Sequence, residues 1–324
     1  MDGELSRRLN NEKLNGIISE NLELLNGEYS SVFERRLTQL YDRAQLLARD
    51  SALLTSEERC AEFERMFDPT NLPPEASDEA KRYVKSYSEA QLLSDKLTVC
   101  RFLAERLGPR ADFGELLGQG SAKLGSDCKG VRIAYLQNAY ADAAFRRFSE
   151  VLDSPSVTYP GDFTSVCEEV YYGRAELCML PLDSSRDAKL ISFYRLIDKY
   201  ELKIILSCDV ASADGGVTTR YALLGKSAVW PDYVIRNKCG SLFFEFSFVP
   251  DEERTLADVL SAAGQCGLRL YKTDAIPLSY SDSEFSCDVI LDCQNGELNA
   301  FVLYMMLAVP QYELLGVYPH MRNG

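Results

Sequence analysis

Along the first third of the chain, apolar residues recur at helical spacing. Within Tyr29–Arg49, Val32, Leu37, Leu40, Tyr41, Ala44 and Leu47 fall on one face of a 3.6-residue period. A second helix is predicted from Ser56, where a capping hydroxyl is followed by Glu57 and Glu58, and it should stop before Asp68–Pro69. Pro73–Pro74 breaks the pattern, Ser77–Asp78–Glu79 opens a third helix, and Gly108–Pro109 ends it after Leu107.

From Asp127 the rhythm changes. Short apolar runs at Val131–Tyr135, Pro155–Thr158, Glu176–Pro181 and Lys203–Val210 read as strands. Ala139–Phe148, Phe163–Tyr172 and Ala188–Tyr200 between them read as helices. Such alternation implies a mostly parallel sheet with helices on its faces. After Ser241 the pattern changes again. Leu242–Val249 alternates large apolar residues with Glu and Ser, as a half-exposed strand should. Thr255–Cys266 is a predicted helix, Leu268–Ile276 and Phe285–Leu291 are strands, Glu297–Leu307 is a helix and Tyr312–Tyr318 the last strand. That βαββαβ order is the ferredoxin-like plan. The fold class expected is therefore multidomain: helical over residues 1–110, α/β over 127–235, and α+β over 239–324.

Composition narrows the function classes. The chain is 46% hydrophobic and 26% charged, a balance that argues against wholesale disorder. A net charge of −14 disfavours a nucleic-acid partner, which needs a basic footprint, but leaves room for a small anion held by a few donors. No apolar run follows Met1 and none is long enough to span a bilayer, so the expectation is a cytoplasmic protein without a membrane partner. The ten cysteines include no CxxC pair; Cys178 and Cys208 sit in apolar runs and read as buried thiols. With one histidine, His320, neither a zinc site nor a histidine-based triad is expected, and no metal or cofactor is called for.

Candidate chemistry lies where loops follow strands, the place an open α/β sheet offers its ligands. Asn138–Ala139–Tyr140–Ala141–Asp142 stands between the first strand and its helix, where free amides could receive an anion; Asn138 as an ordinary N-cap is the alternative. Pro181–Leu182–Asp183–Ser184–Ser185 ends the third strand with two hydroxyls, which could equally close a turn. Thr218–Thr219–Arg220–Tyr221 opens an apolar strand and has the composition of one.

In this order, and followed by Leu315–Gly316–Val317–Tyr318–Pro319 at the end of the βαββαβ pattern, these segments resemble prephenate dehydratase with its C-terminal ACT domain. The Asp183–Ser184–Ser185 segment stands where the family has glutamate–asparagine–serine, and Thr219–Arg220–Tyr221 where it has threonine–arginine–phenylalanine. The resemblance implies a periplasmic-binding-protein-like α/β lobe. In it Thr219 would assist loss of the ring hydroxyl, and Asn138, Tyr140, Asp183, Ser184, Ser185, Arg220 and Tyr221 would bind substrate. It implies an ACT ligand region at Arg254, Thr255 and Leu256 and at Asp274, Ala275, Ile276 and Pro277, and a homodimer formed through the ACT domains. The expected ligand is prephenate, chorismate or an amino acid, and the expected setting is L-phenylalanine biosynthesis. The N-terminal helices stand where bifunctional enzymes carry a chorismate mutase, with Arg35, Arg36, Arg43, Arg59 and Lys96 as cations for a dianion or as solvated helix faces.

One departure decides the expected chemistry. In the family a whole second lobe separates the two strands that cross between lobes. Here only Ala211–Gly216 lies between Val210 and Val217, which predicts a hairpin turned by Asp214–Gly215–Gly216. One wall of the cleft would then be missing, and dehydration would be impaired unless another subunit or the helical part closes the site. The alternative is a non-catalytic regulatory protein that binds a small carboxylate or an amino acid.

Overall fold

The computed structural model describes residues 56–67, 89–107, 130–213, 215–228, 239–252, 254–277, 285–309 and 311–321. The chain forms two compact units, Met1–Leu103 and Ala104–Gly324. In the first, helix α1 spans Ser56–Phe67, and the stop expected at Asp68–Pro69 lies outside the described residues. Helix α2 spans Glu89–Leu107. Cys60, Phe63 and Phe67 of α1 and Leu97, Val99, Cys100 and Leu103 of α2 are buried. The helix expected over Tyr29–Arg49 and the start expected at Ser77 lie outside the described residues.

The second unit is organised by one sheet. Its strands are β1 (Arg132–Tyr135), β2 (Ser156–Thr158), β3 (Leu177–Ser184), β4 (Ala188–Lys189), β5 (Lys203–Ala211), β6 (Thr218–Gly225), β7 (Ser241–Phe248), β8 (Arg269–Pro277), β9 (Phe285–Asp292) and β10 (Glu313–Met321). The order is β2-β1-β3-β6-β5-β10-β7-β9-β8, with β4 added to β3. Helices α3 (Ala139–Phe148), α4 (Phe163–Tyr171), α5 (Ile191–Lys199), α6 (Leu256–Gln265) and α7 (Leu298–Ala308) complete it.

The sheet is mixed rather than mostly parallel. Only β1·β2, β1·β3 and β5·β10 run parallel among the described pairs; the rest are antiparallel. The reason lies in the connections. Parallel neighbours in sequence need a crossover of a dozen or more residues, and the link from β5 to β6 is too short to make one. Ser212 N–H donates to the Val217 carbonyl at 2.7 Å, Gly215 N–H to the Ser212 carbonyl at 2.8 Å, and Gly215 takes a φ of 69°. The hairpin register runs Ala211↔Thr218 through Lys203↔Gly225.

Two other expectations change. Ala188 and Lys189 are not the start of a helix; they pair with Ser184 and Asp183, and the helix begins at Ile191. Leu190, whose side chain has no acceptor, enters α5 with no side-chain cap, and its N–H donates to the Leu182 carbonyl at 2.9 Å. Strand β7 is not half exposed. It lies between β10 and β9, Phe244 and Phe246 pack near Phe301 of α7, and Phe243 and Glu245 are covered on the opposite face.

Apolar layers cover both faces of the α/β part. One gathers Ile133, Tyr135, Ala144 and Phe148 of α3, Cys208, Val210, Tyr221 and Leu223. The other gathers Val166, Val170, Tyr194, Ile197, Ala222 and Leu224, and continues without a break into Phe243, Ile290, Leu315 and Tyr318 of the βαββαβ part. The seam between the two parts is β5 against β10, paired at His320↔Ser207 and Met321↔Cys208. Backbones meet there so closely that a Cβ on Gly316 would stand 2.3 Å from the Ile204 carbonyl oxygen. Glycine at this position of Leu-Gly-Val-Tyr-Pro is thus required by packing.

Candidate functional site

Strands β1, β3 and β5 end, and β6 begins, at one edge of the sheet, so the predicted motif residues do gather in one region. Asn138 caps α3: its side-chain oxygen accepts from the N–H groups of Tyr140 at 3.1 Å and Ala141 at 2.9 Å. Tyr140, in the first turn, is exposed. Ser184 Oγ accepts from Arg186 N–H at 3.2 Å, closing the β3–β4 turn, and Ser185 Oγ accepts from Thr218 N–H at 2.9 Å, tying β3 to β6. Thr219 is half-buried, opposite Ser184 on one side and Val210 on the other.

Side chains alternate across a strand, and this divides the predicted set. Thr219 and Tyr221 belong to the α3 face. There Tyr140 lies within electrostatic reach of Tyr221, whose phenol is pushed up to about 12, chiefly by burial. Arg220 and Asp183 belong to the opposite face. The two adjacent signature residues Thr219 and Arg220 therefore serve different surfaces.

Arg220 is the centre of a buried polar cluster. Its Nε donates to Asp183 Oδ2 at 2.6 Å, its Nη1 to Glu245 Oε2 at 3.1 Å and to the Tyr318 hydroxyl at 2.5 Å, and its Nη2 to the Tyr194 hydroxyl at 2.8 Å. Both phenols pass the bond on: Tyr194 donates to Glu245 Oε1 at 2.8 Å, and Tyr318 donates to Glu245 Oε2. Glu245 thus receives a guanidinium and two hydroxyls while being 0% exposed. Burial alone would raise its pKa, but Arg220 and Lys189 outweigh it and hold the carboxyl below the ordinary value. Burial of Arg220 is likewise outweighed, by Glu245 first, and the guanidinium stays charged.

Around this core stand further pairs. Lys272 Nζ contacts Asp183 Oδ1 at 2.8 Å and Asp274 Oδ2 at 3.2 Å. Lys189 contacts Asp288 and lies 3.6 Å from the centre of the Tyr194 ring. Burial pushes the Lys189 ammonium down to about 8 against the pull of Glu245, Asp183 and Asp274. Glu245, Lys272, Asp288 and Tyr318 come one from each strand of the βαββαβ sheet. Asp183, Lys189, Tyr194 and Arg220 come from the α/β part. The cluster is an ionic joint between the two.

Sequence reasoning found Asp183 and Arg220 but missed their partners. Glu245 looked solvent-facing in the alternation of β7; the one available hint was Tyr318 within the Leu-Gly-Val-Tyr-Pro segment. His320 is buried in the sheet. Its Nδ1 lies 2.8 Å from Ser207 Oγ and its Nε2 3.3 Å from Asp209 Oδ2, and its ring stacks on Phe243. A serine, a histidine and an aspartate do meet, but Ser207 has no exposed surface. The arrangement bridges β5 and β10 rather than presenting a nucleophile.

In the region expected to hold an ACT ligand, Thr255 and Asp258 form a capping box on α6, and Arg254 pairs with Asp251 at 3.2 Å. Leu256 opens α6, and Asp274, Ala275, Ile276 and Pro277 lie on β8, the last strand of the sheet. In the first unit Lys96 is held by both oxygens of Glu64 at 2.7 Å. Arg35, Arg36 and Arg43 lie outside the described residues, and Arg59 is on α1.

No group of acidic, histidine or cysteine side chains suited to a metal occurs among the described residues, and the nine described cysteines are buried. No described helix is long and apolar enough to cross a membrane. No protein-family model and no curated protein matches the sequence. Among solved structures the chain is similar to a prephenate dehydratase from Streptococcus mutans, with 17% identity and a TM-score of 0.48 over 59% of this chain and 100% of that one. It is similar to GqqA, described as a quorum quenching acylase, with 21% identity and a TM-score of 0.46 over 58% and 94%. A third likeness is to prephenate dehydratase of Arthrobacter aurescens in complex with L-Phe, with 12% identity and a TM-score of 0.43 over 58% and 90%.

Proposed function

We propose that this chain is a divergent protein on the prephenate dehydratase plan that has lost dehydration and serves aromatic amino-acid metabolism as a regulatory binder of a small carboxylate or amino acid. The observation that carries this reading is the reversal at Ser212–Val217, which joins β5 to β6 directly. Expelling a ring hydroxyl and carbon dioxide from prephenate requires donors fixed around the anion in a site closed to water. With the second lobe replaced by a turn, a substrate at the strand ends keeps its water, and each donor there is worth far less. Thr219 then has no opposing wall, and Arg220, on the other face, is already paired.

In this reading the βαββαβ part (239–324) is an ACT domain beside a one-lobed α/β part (127–235). Its ligand region is Arg254–Leu256 with Asp274–Pro277, and it forms the dimer contact. Residues 1–110 are the remnant of a mutase-type helical domain. The test is direct: follow the absorbance of chorismate and of prephenate in the presence of pure protein, and measure thermal stability with phenylalanine, tyrosine and prephenate. The expected outcome is no prephenate turnover and a rise in Tm with one of these ligands. Prephenate turnover that Thr219→Val abolishes would sink the proposal.

A further inference from the structure

The polar groups around Glu245 make a complete receptor for a carboxylate, and its occupant comes from within the chain. One guanidinium nitrogen and two phenol hydroxyls converge on the two Glu245 oxygens. Both phenols are themselves held by Arg220, at 2.5 Å and 2.8 Å. Charge-assisted bonds of this kind are the strong ones, and each phenol that accepts from Arg220 becomes a better donor to the carboxylate. Arg220 and Tyr194 come from the α/β part, while Tyr318 and Glu245 come from the βαββαβ part. The far side of Arg220 is fixed by Asp183, so the guanidinium stays aimed when Glu245 is removed.

We propose that Arg220, Tyr194 and Tyr318 form a carboxylate receptor that Glu245 fills, so that a small external carboxylate takes the same place when the Glu245 side chain is removed. The receptor reads only a carboxylate, and the ligand must fit the space of the buried Glu245 side chain. The ligand class is accordingly a small monocarboxylate. This holds whether or not the chain catalyses any reaction.

The test compares sodium acetate with sodium chloride at equal ionic strength, read as Tm of the full chain. In the wild type the receptor is full, and acetate should match chloride. Glu245→Ala vacates it: Tm should fall in chloride and recover by several degrees in acetate, with saturation. In the double variant E245A/R220A the acetate-specific recovery should vanish. Glu245→Ser serves in place of E245A where the alanine variant does not fold. Equal response of E245A to the two salts, or recovery that survives R220A, overturns the proposal. So does an acetate-specific rise in the wild type equal to that of E245A, because the receptor would then not be occupied.

Discussion

Removing the Arg220 guanidinium leaves the buried Glu245 carboxylate without the cation that contacts it, while the half-buried Asp183 keeps Lys272. A buried pair adds little over an apolar replacement, but a widowed partner is costly. Arg220→Met should therefore lower stability by about 3–5 kcal/mol in urea unfolding. The double variant R220M/E245L should lose clearly less than the two single losses together, because it leaves one fewer charge unpaired. The same residues set a pH dependence. Glu245 titrates below its ordinary 4.5, so its contribution is complete above that value and fades as pH falls through the folded-state pKa. Stability measured from neutral pH to pH 3 should fall less steeply in Glu245→Gln than in the wild type; parallel acid limbs would show that Glu245 is not the group responsible.

At the scale of elements, close backbone approach and turn geometry decide which glycines matter. Gly316 has the Ile204 carbonyl where a side chain would be, so Gly316→Ala must push β10 from β5 and should cost about 1–3 kcal/mol, as overpacking does. Gly215, at positive φ in the β5–β6 turn, should lose about 1 kcal/mol on change to Ala through backbone strain alone. Gly161, with open space around it and no positive φ, should tolerate Ala within error. Denaturant midpoints of the three variants check this ranking.

The same elements show what the sequence makes legible. The hairpin turn could be read because glycine, free to take positive φ, acts locally. The pairing of β5 with β10 could not, since nothing near Ser207 or His320 marks a partner more than a hundred residues away. Glu245 was misread for the same reason. Alternation of apolar and polar residues signals a wet face only when no other layer covers it, and here the α/β part does. Of the predicted site, the gathering of the strand ends was readable, whereas the opposite facing of Thr219 and Arg220 followed from the hairpin register.

At the scale of the molecule, the α/β and βαββαβ parts are not separable bodies but two halves of one sheet. The α/β half cut free would expose the edge of β5 and lose Phe243, Ile290, Leu315 and Tyr318 from its own apolar layer. Arg220 would keep Asp183 but lose Glu245 and the Tyr318 hydroxyl. Two tethers would go as well: Lys203 Nζ to the Leu314 carbonyl at 2.7 Å, and Arg147 to the Met321 carbonyl at 3.2 Å. A buried charge short of its partners and an unpaired central strand each cost more than the margin of a typical domain can absorb. A fragment of residues 127–235 should therefore lack a cooperative unfolding transition. In the full chain, hydrogen exchange should protect β6 and β7 with the same opening free energy, because separating the two halves breaks the ionic joint for both. Cooperative, native-like unfolding of the fragment would instead mean that the joint fastens two bodies already stable on their own. The α/β part would then owe its stability to its own apolar layers rather than to the C-terminal sheet.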